Sequence, residues 1–351
     1  MRILLVCVLL PECLLGFVAV PEQRADVRLQ AGPLDVLGDY LESLAAPPAE
    51  ATLSKEKKSV VITGGANGVG YAYADEFLRL GHEVMICDVV EPSDAVKGLK
   101  KKHGSAAKIF GKKCDVSDAQ SVRDFSKAAL KELGKIDLWV NNAAVNGGRR
   151  PFLEVPDATI ETVVKVNMFG VLICTKVAME IMMTQKKPGH IFNTVGSGVR
   201  GGGTPGYVSY GAAKRGLPQM TDSLVAELDG KTQGYDWPAK TVTKVNLHTL
   251  SPGMVFTDLL LKDSTPELRK FPFSVLAATP EEVAQDLVPK MLSLKDTESG
   301  TFVEYLSTPK TLSKFFNRFV RQQKSNIIDD DGNVIKQQGV NYNEDGVRAL
   351  Y

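Results

Sequence analysis

The sequence predicts an α/β protein built on a doubly wound parallel sheet, with a single domain and a C-terminal amphipathic extension. Short runs rich in β-branched residues alternate with amphipathic segments between Ser59 and Leu306. A glycine-rich turn directly follows the first of these runs. Strands that are buried on both faces and separated by helices favour a parallel sheet, because consecutive strands become parallel only through a crossover of about a dozen residues or more.

Seven segments are expected to be strands: Ser59–Thr63, Glu83–Cys87, Ala107–Lys113, Ile136–Val140, His190–Asn193, Val242–Leu250 and Thr301–Leu306. Between them the sequence predicts helices at Tyr71–Leu80, Ser117–Leu133, Thr159–Gln185 and Ser209–Leu228. A chain of 351 residues suggests two domains by length alone. The alternating elements fit one sheet with helices on both faces, so we expect a single domain at residues 55–308.

The composition is that of an ordinary soluble protein and excludes several function classes. Of the 351 residues, 44% are hydrophobic and 24% are charged, with 42 Lys and Arg against 41 Asp and Glu. This balance lacks the basic excess of a nucleic-acid-binding protein, and no apolar run of about 18 residues predicts a membrane-spanning helix. The five cysteines contain no CxxC pair, so neither a disulfide framework nor a zinc site is predicted.

The first 54 residues are expected to be a targeting leader. Residues 1–20 begin Met-Arg and continue with an apolar stretch, which is typical of a secretory-type signal. Residues 21–54 are rich in Ala and Pro and show no sustained strand or helix period. The junction Phe17-Val18-Ala19-Val20-Pro21 resembles that of bipartite plastid presequences, although three Arg against seven Asp and Glu make this leader unusually acidic. We therefore expect a plastid protein.

Residues 309–351 are expected to form a basic amphipathic helix followed by a polar tail. Apolar residues recur with helical spacing at Leu312, Phe315, Phe316, Phe319 and Val320, and Lys and Arg surround them over residues 310–324. Such a helix either lies on a membrane surface, here a thylakoid, or closes the domain or an oligomer interface with its apolar face.

The turn after the first strand has the spacing of a dinucleotide-binding loop. It reads Thr63-Gly64-Gly65-Ala66-Asn67-Gly68-Val69-Gly70 and leads into a predicted helix. The glycines at 64, 68 and 70 allow a tight turn, a close approach to a pyrophosphate and packing of helix on strand, while the helix N-terminus attracts phosphate. The alternative is an ordinary glycine-rich turn, which the position between strand and helix disfavours. We therefore predict a Rossmann-type sheet that binds NADH or NADPH.

Asp88 follows Gly70 by 18 residues, at the end of the second predicted strand. An acidic residue at this place binds the 2′-hydroxyl of the adenosine ribose and repels a 2′-phosphate. Asn67 adds no positive charge, so these two residues favour NADH over NADPH. The alternative is an Asp that only caps the next segment.

Tyr210 and Lys214 are four residues apart and lie on one face of a predicted helix, one turn from each other. A phenol with a pKa near 10 is a poor acid or base at neutral pH, and an adjacent cation is expected to lower its pKa. Ser197 lies thirteen residues upstream, just after a predicted strand, where its hydroxyl can hold a substrate oxygen. The alternative for Tyr210 and Lys214 is an ordinary surface pair.

Two further polar sites stand in apolar surroundings. Asn167 interrupts the apolar stripe of a long predicted helix, so its buried amide must be satisfied, and the alternative to a functional role is a helix bend or a core hydrogen bond. The segment Asn141-Asn142-Ala143-Ala144 follows a strand, and the ligands of open α/β sheets lie at the carboxyl ends of strands.

With these residues the chain resembles the short-chain dehydrogenase/reductase family. The matching motifs are Thr63-Gly64-x-x-x-Gly68-x-Gly70, Cys114-Asp115-Val116, Asn141-Asn142-Ala143-Ala144, Asn167, Ser197, Tyr210-x-x-x-Lys214 and Pro252-Gly253-Met254-Val255-Phe256-Thr257, with Ala144 in place of the usual Gly. The resemblance implies Tyr210 as general acid/base, Lys214 as the residue that lowers its pKa and holds the nicotinamide ribose, Ser197 as the residue that positions the carbonyl, and Asn167 as support for a water-linked proton relay.

The resemblance also assigns residues to the cofactor. Asp115 and Val116 are expected around the adenine, Asn141 at the ribose, and Thr257 near the nicotinamide and phosphates. The complete set of expected cofactor contacts is Thr63, Gly64, Asn67, Gly68, Val69, Gly70, Asp88, Asp115, Val116, Asn141, Ala143, Tyr210, Lys214, Pro252, Gly253, Val255 and Thr257.

A narrower resemblance is to the chlorophyll b reductases of plastids. It is carried by Gly70-Tyr71-Ala72, Lys113-Cys114-Asp115-Val116, Gly189-His190-Ile191-Phe192-Asn193, Tyr210-Gly211-Ala212-Ala213-Lys214-Arg215, Asn246-Leu247-His248, Ser251-Pro252-Gly253-Met254-Val255 and Thr257-Asp258-Leu259-Leu260. It implies reduction of the 7-formyl group of chlorophyll b to a hydroxymethyl group in chlorophyll catabolism. It also implies NADPH, from which Asp88 and Asn67 depart.

Two other functions are compatible with the sequence. The same catalytic residues serve a reductase of another carbonyl, such as an acyl, steroid or quinone substrate, because fold and catalytic residues do not select a substrate. A non-catalytic nucleotide-sensing subunit of a homo- or hetero-oligomer is the alternative from a different class, and the complete catalytic set disfavours it.

Overall fold

The computed structural model describes residues 33–196, 199–231, 242–262 and 264–335. The predicted signal at 1–20, the leader up to residue 32 and the end of the predicted polar tail lie outside the described residues. The chain divides into two compact units, Met1–Tyr40 and Leu41–Tyr351, and the second unit contains the whole sheet.

Seven parallel strands form one sheet in the order β3-β2-β1-β4-β5-β6-β7. They are β1 Ser59–Thr63, β2 Glu83–Asp88, β3 Ile109–Lys113, β4 Leu138–Asn141, β5 His190–Thr194, β6 Asn246–Ser251 and β7 Phe302–Glu304. The strand order reverses direction between β1 and β4, and ligands of doubly wound sheets bind at the carboxyl ends of the strands beside such a point. The predicted fold class is confirmed.

The sheet is buried on both faces. Successive strand residues point to opposite faces, so each strand contributes side chains to an apolar cluster on either face. Val60 and Ile62 of β1 belong to one apolar cluster, and Val61 between them belongs to the other. All five residues of β1 are buried. This explains why the strands read as continuous apolar runs rather than as alternating patterns.

Helices cover both faces of the sheet. In chain order the α-helices of the described residues are α1 Pro33–Ala45, α2 Gly68–Arg79, α3 Ser93–His103, α4 Ala119–Leu133, α5 Asp157–Val164, α6 Val171–Met182, α7 Val208–Leu228, α8 Asp258–Leu261, α9 Pro266–Arg269, α10 Phe273–Leu276, α11 Pro280–Leu292 and α12 Thr308–Phe319. The four predicted helices are present, whereas α3 and α11 have no counterpart in the prediction.

Helix α1 corrects the expectation that residues 21–54 lack regular structure. It runs through thirteen residues of the expected leader and begins at Pro33, a residue whose fixed φ suits the first helical position. Leu34, Leu37 and Leu44 repeat with helical spacing, yet all three side chains are exposed. The helical period was therefore present in the sequence, although the surrounding Ala and Pro residues hid it.

Helices α5 and α6 form one continuous long helix that contains a π-helical turn at Lys165–Gly170. The combined helix Asp157–Met182 is long and apolar enough to cross a membrane, and half of its most apolar stretch is buried inside the protein. Cys174, Val177 and Ala178 belong to the core cluster under the sheet. Packing against β4 and β5 accounts for the apolar character of this helix.

The predicted basic helix is α12, and it packs on the domain. Phe316 is buried, and Lys310 forms an ion pair with the buried carboxylate of Asp286 in α11. The ammonium of Lys310 also lies 4.4 Å from the centre of the Tyr305 ring. The sequence left two alternatives, a helix on a membrane surface and a helix that packs on the domain or an oligomer interface. The part of α12 around Lys310 and Phe316 packs on the domain. Phe319, predicted on the apolar face, is 59% exposed.

Replacing Asp286 is expected to destabilise the protein strongly. Its side chain is 3% exposed and accepts hydrogen bonds from Lys290 Nζ at 2.5 Å and from Lys310 Nζ. Asp286→Ala leaves two partly buried ammonium groups without their carboxylate, so the free energy of unfolding should fall by about 2–4 kcal/mol. The measurement is urea unfolding, with Asp94→Ala as the control, because the Asp94–Lys97 pair is exposed and should contribute less than about 1 kcal/mol. Equal losses in the two variants would contradict this role for Asp286.

Candidate active site

The glycine loop lies at the carboxyl end of β1 and is fitted tightly against its neighbours. Gly64 and Gly68 have left-handed φ values of +65° and +55°. A Cβ on Gly70 would lie 2.1 Å from the carbonyl oxygen of Gly64 and 2.6 Å from Nδ2 of Asn142. A side chain at any of these three positions therefore forces the loop or its neighbours to move. Asn67 precedes α2 and its carbonyl accepts the first hydrogen bond of that helix, from Tyr71.

Asn142 and Thr63 join the carboxyl ends of β4 and β1. Nδ2 of Asn142 donates to the carbonyl oxygens of Thr63 and Gly64, both at 3.1 Å. In return, Oγ1 of Thr63 accepts from the main-chain N–H groups of Asn142 and Ala143. These four hydrogen bonds fix the glycine loop relative to the next strand. Val69 packs on the core from the start of α2.

Asp88, Asp115 and Val116 lie together beside the loop. The carboxylate of Asp88 accepts a hydrogen bond from the N–H of Ala66 at 3.1 Å, so it faces the glycine loop as predicted from sequence spacing. The main-chain carbonyl of Asp88 binds the N–H of Cys114, which brings the next two residues alongside. Asp115 accepts from Ser117 N at 2.8 Å, and Val116 is buried.

The segment 252–257 approaches the glycine loop from β6. Cγ2 of Thr257 lies 3.3 Å from the place where a Cβ of Gly68 would stand. Gly253 has a φ of +74°, which turns the chain after Pro252, and Val255 is buried and forms a bridge with Ala278. This segment therefore brings Thr257 next to the glycine loop, on the side of Gly68.

Asn141 belongs to a buried hydrogen-bond network at the end of β4. Its side chain is buried, with Nδ2 donating to Thr175 Oγ1 at 3.0 Å and to Asn193 Oδ1 at 2.8 Å. Its Oδ1 accepts from Trp139 Nε1 at 2.8 Å. The side chain of Asn141 therefore joins β4 to helix α6 and to β5, and the expected position of Asn141 at the ribose stays a prediction.

Asn167 lies in the π-helical turn and is fully buried. Its Oδ1 accepts from Val145 N at 3.0 Å, and its Nδ2 donates to Val145 O at 2.6 Å. The π-helical turn places this amide against the chain that follows β4, and π-helical turns are frequent at functional sites. The sequence offered a helix bend or a core hydrogen bond as structural roles for Asn167. The structure has an irregular helical turn at this residue and hydrogen bonds from its buried amide to Val145.

Lys214 is buried and its ammonium donates to the main-chain carbonyl of Thr194, at the end of β5, with a distance of 2.8 Å. Burial lowers the pKa of Lys214 to about 8. The Oγ1 of Thr194 is buried without a hydrogen-bond partner among the described residues. A polar atom is therefore left for a ligand directly beside the lysine.

Tyr210 lies one turn before Lys214 on α7, as predicted. A Cβ on Gly196 would lie 2.3 Å from the Tyr210 hydroxyl, so the chain after β5 passes directly over that group. Burial raises the pKa of Tyr210 to about 12. The sequence predicted that Lys214 lowers the pKa of Tyr210, whereas the structure shows a raised pKa. Burial disfavours the charged forms of both residues. The ammonium of Lys214 binds a main-chain carbonyl and does not offset the burial of the phenol. Ser197, the predicted carbonyl-positioning residue, lies outside the described residues.

The edge of the sheet fits a nicotinamide dinucleotide. The close packing at Gly70 leaves the main chain of the loop open to a pyrophosphate, and the first helical turn of α2 starts at Gly68. The unpartnered Thr194 hydroxyl and Lys214 lie at the neighbouring strand, within the same edge. A phenol, a buried ammonium and a glycine-rich loop at the start of a helix are the kinds of groups that a carbonyl reduction with a nicotinamide cofactor requires.

Several functional residues were not selected from the sequence. Asn142 was quoted within a motif, yet its role as the link between β1 and β4 follows from its neighbours in space. Val145 binds Asn167 and Thr194 binds Lys214 through main-chain groups, and no side-chain pattern reveals such contacts. The signal for Asn142 was an amide directly after a buried strand.

Comparisons with known proteins agree with this geometry. The family model described as short chain dehydrogenase matches residues 58–267. The chain is 38% identical over 273 residues to the chloroplastic chlorophyll(ide) b reductase NOL of Arabidopsis thaliana, covering 76% of this chain and 75% of that protein. It is 37% identical over 265 residues to the protein of the same description from Oryza sativa subsp. japonica, covering 74% of each.

Solved structures show the same fold. Levodione reductase superposes with a TM-score of 0.61 at 24% identity, over 74% of this chain and 99% of that one. A 3-ketoacyl-(acyl-carrier-protein) reductase from Brucella melitensis, complexed with NADH, gives a TM-score of 0.59 at 22% identity, over 72% and 97%. The family match and the identity to the plant relatives show that the chain belongs to the short-chain dehydrogenase/reductase family of NAD(P)-dependent oxidoreductases.

Proposed function

We propose that this enzyme reduces a formyl group on a chlorophyll-type pigment, with the 7-formyl group of chlorophyll b as the expected target. The carbonyl chemistry is supported by Tyr210 and Lys214 on one helix, with Lys214 bound at the end of β5 and Asn167 bound to the chain that follows β4. The similarity to plant proteins named chlorophyll(ide) b reductase supports the pigment as substrate class.

The surface next to the nicotinamide segment suits a large apolar substrate. The segment that contains helices α8 to α10 follows Thr257 directly and contributes exposed apolar side chains at Leu259, Leu268 and Phe271. Phe256 and Phe273 pack edge to face beneath them, with ring centres 5.4 Å apart. A planar macrocycle buries much apolar area on such a surface, which favours binding.

The reaction needs a hydride and a proton. A bound reduced nicotinamide supplies the hydride to the formyl carbon. Tyr210 supplies the proton to the formyl oxygen, and its raised pKa keeps the phenol protonated at neutral pH. Lys214 presents its ammonium to the edge where the nicotinamide ribose is expected, held there by Thr194 O. Asn167 fixes the chain after β4 and supports proton return to Tyr210 from solvent. Ser197 remains the proposed hydrogen-bond donor to the carbonyl.

The choice of dinucleotide is proposed to follow Asp88. Its carboxylate is anchored by Ala66 N and faces the ribose side of the loop. A 2′-phosphate placed there meets a negative charge, which favours NADH. Lys113 stands opposite Asp88 in the β2–β3 register and is exposed, so removal of the Asp88 charge leaves a cation that can receive a phosphate.

A plastid location is proposed because the related proteins are described as chloroplastic. We also propose a peripheral contact with the thylakoid through residues 310–324. The exposed ring of Phe319 supports it, and the centre of this ring lies 6.0 Å from the centre of the Phe271 ring. The cations of this region are largely paired within the protein, as with Arg321 and Glu42 at 3.0 Å, so the aromatic residues rather than charge would make that contact. We also propose a homo- or hetero-oligomer.

The proposed function is tested with the purified full-length protein. Chlorophyll b is incubated with NADH or NADPH, and the absorption spectrum of the pigment is followed. Conversion to the 7-hydroxymethyl pigment is expected. Turnover of other carbonyls without any change in the pigment would favour a reductase of another substrate, and dinucleotide binding without any turnover would favour a nucleotide-sensing subunit.

Tyr210→Phe is expected to abolish reduction and leave dinucleotide binding intact. The substitution removes only the hydroxyl that donates the proton, so kcat should fall by about 10²–10⁴-fold. The measurement combines single-turnover kinetics with a fluorescence titration of the dinucleotide. Tyr207→Phe, one turn earlier in the chain, serves as the matched control. Wild-type rates in Tyr210→Phe would refute the assigned role.

Asp88→Asn is expected to shift preference toward NADPH. The amide oxygen can still accept from Ala66 N, while the negative charge is lost. The ratio of kcat/KM for NADPH to that for NADH should rise by about tenfold or more. Asp88→Ser, which removes charge and anchor together, should shift the ratio in the same direction. An unchanged ratio in both variants would show that Asp88 is only structural.

The rate of reduction is expected to fall as pH rises through about 8. Lys214 loses its positive charge there because burial lowers its pKa to about 8, whereas Tyr210, with a pKa of about 12, remains protonated in this range. The measurement is the pH profile of kcat/KM. Residual activity of Lys214→Met should lack the inflection, and Lys187→Met, at an exposed site paired with Glu56, should retain it. A flat wild-type profile would contradict this assignment.

A further inference from the structure

We propose that Arg149 and Arg150 bind a carboxylate beside the substrate site, so that the enzyme reduces the free-acid form of the pigment more efficiently than the esterified chlorophyll b. This inference rests on the pigment reduction proposed above. It concerns a substrate group far from the reacting carbonyl, so it adds a determinant of specificity rather than a step of the reaction.

The segment 145–150 forms one wall of the space beside Tyr210. Its first residue is held by Asn167 through both main-chain groups of Val145. Its second residue, Asn146, donates from Nδ2 to the carbonyl of Leu259 in α8. Its last residue donates from its main-chain N–H to Gly206 O at 3.3 Å, four residues before Tyr210. The segment therefore touches three parts of the site.

Two glycines set the direction in which the arginines leave this wall. Gly147 and Gly148 have left-handed φ values of +79° and +78°. A Cβ on Gly147 would lie 2.7 Å from Val163 of α5, so the turn is packed against that helix. The stem of Arg149 lies over Gly206, whose Cβ position is 2.8 Å from Arg149 Cγ. The guanidinium of Arg150 lies against Gly148, 2.8 Å from its Cβ position.

Neither arginine pairs with a carboxylate in the described part of the chain. Other arginines of the domain do so: Arg200 pairs with Glu304 at 2.9 Å, and Arg123 pairs with Glu180 at 2.8 Å. Two arginines that are neighbours in sequence, lack a carboxylate partner among the described residues and lie on this wall favour an anionic ligand. Carboxylates suit them because the planar guanidinium donates two parallel hydrogen bonds to the two oxygens.

The chemistry of the pigment supplies such a group at a matching place. In a chlorophyll-type macrocycle the propionate side chain is carried on the ring opposite the one that bears the 7-formyl group. When the formyl group reaches Tyr210, the propionate therefore lies toward the outer rim, where Arg149 is exposed. Phe152 and Leu153 follow directly and are 48% and 99% exposed, so the same segment offers apolar surface beside the cations. An esterified side chain leaves both cations without a partner.

The test compares a free-acid pigment with its methyl ester, chlorophyllide b and methyl chlorophyllide b, which differ in one charge. We expect the wild-type enzyme to prefer the acid. Arg149→Gln, Arg150→Gln and the double variant should raise KM for the acid by about tenfold or more, with kcat and the kinetics of the ester unchanged. Arg123→Gln removes the same charge from an exposed ion pair elsewhere and should leave the acid-to-ester ratio unchanged. Dinucleotide affinity of each variant serves as the check on folding.

The outcomes separate the two proposals. If the wild-type enzyme reduces both pigments and the acid-to-ester ratio is the same in all variants, the arginine pair does not bind the carboxylate, and the pigment reductase stands. If the wild-type enzyme binds dinucleotide and reduces neither pigment, the proposed function fails and the arginine proposal fails with it. A loss of preference confined to the Arg149 and Arg150 variants supports both.

Discussion

The site depends on the close approach of β1, β4 and the glycine loop at one edge of the sheet. A Cβ on Gly70 would lie 2.1 Å from Gly64 O, and the amide of Asn142 spans the carbonyls of Thr63 and Gly64. This packing leaves the main chain of the loop exposed to a pyrophosphate and orients the start of α2 toward it. Asp88 and Thr257 contact this loop directly, whereas Lys214 is held by Thr194 O at the end of β5.

Burial governs the chemistry of the catalytic pair. It raises the pKa of Tyr210 to about 12 and lowers that of Lys214 to about 8, so both groups are less easily charged than in water. A protonated phenol is the form needed to deliver a proton to a carbonyl oxygen, whereas alcohol oxidation needs the phenolate. At neutral pH Tyr210 is therefore in the form that can donate a proton. The lysine is kept in place by Thr194 O rather than by the tyrosine.

The sequence was informative where one residue type alone satisfies a local requirement. The glycine loop, the acidic end of β2 and the Tyr210–Lys214 spacing were all predictable, as was the parallel sheet. Features that depend on contacts between distant segments were not predictable. Thr175 and Asn193 bind the side chain of Asn141, and the main chain of Val145 binds the buried amide of Asn167. The packing of α12 also involves the ion pair of Lys310 with Asp286, and no sequence pattern indicates that Asp286 is buried.

The central claim is that this edge of the sheet delivers a hydride to a formyl carbon of a chlorophyll-type pigment. The most direct measurement uses a reduced dinucleotide that carries deuterium at both hydrogens of nicotinamide C4, with chlorophyll b as substrate and mass spectrometry of the product. The account predicts a hydroxymethyl pigment that carries one deuterium on the former formyl carbon, and no such product with Tyr210→Phe. A product without deuterium, or an unaltered pigment in the presence of bound dinucleotide, would contradict it.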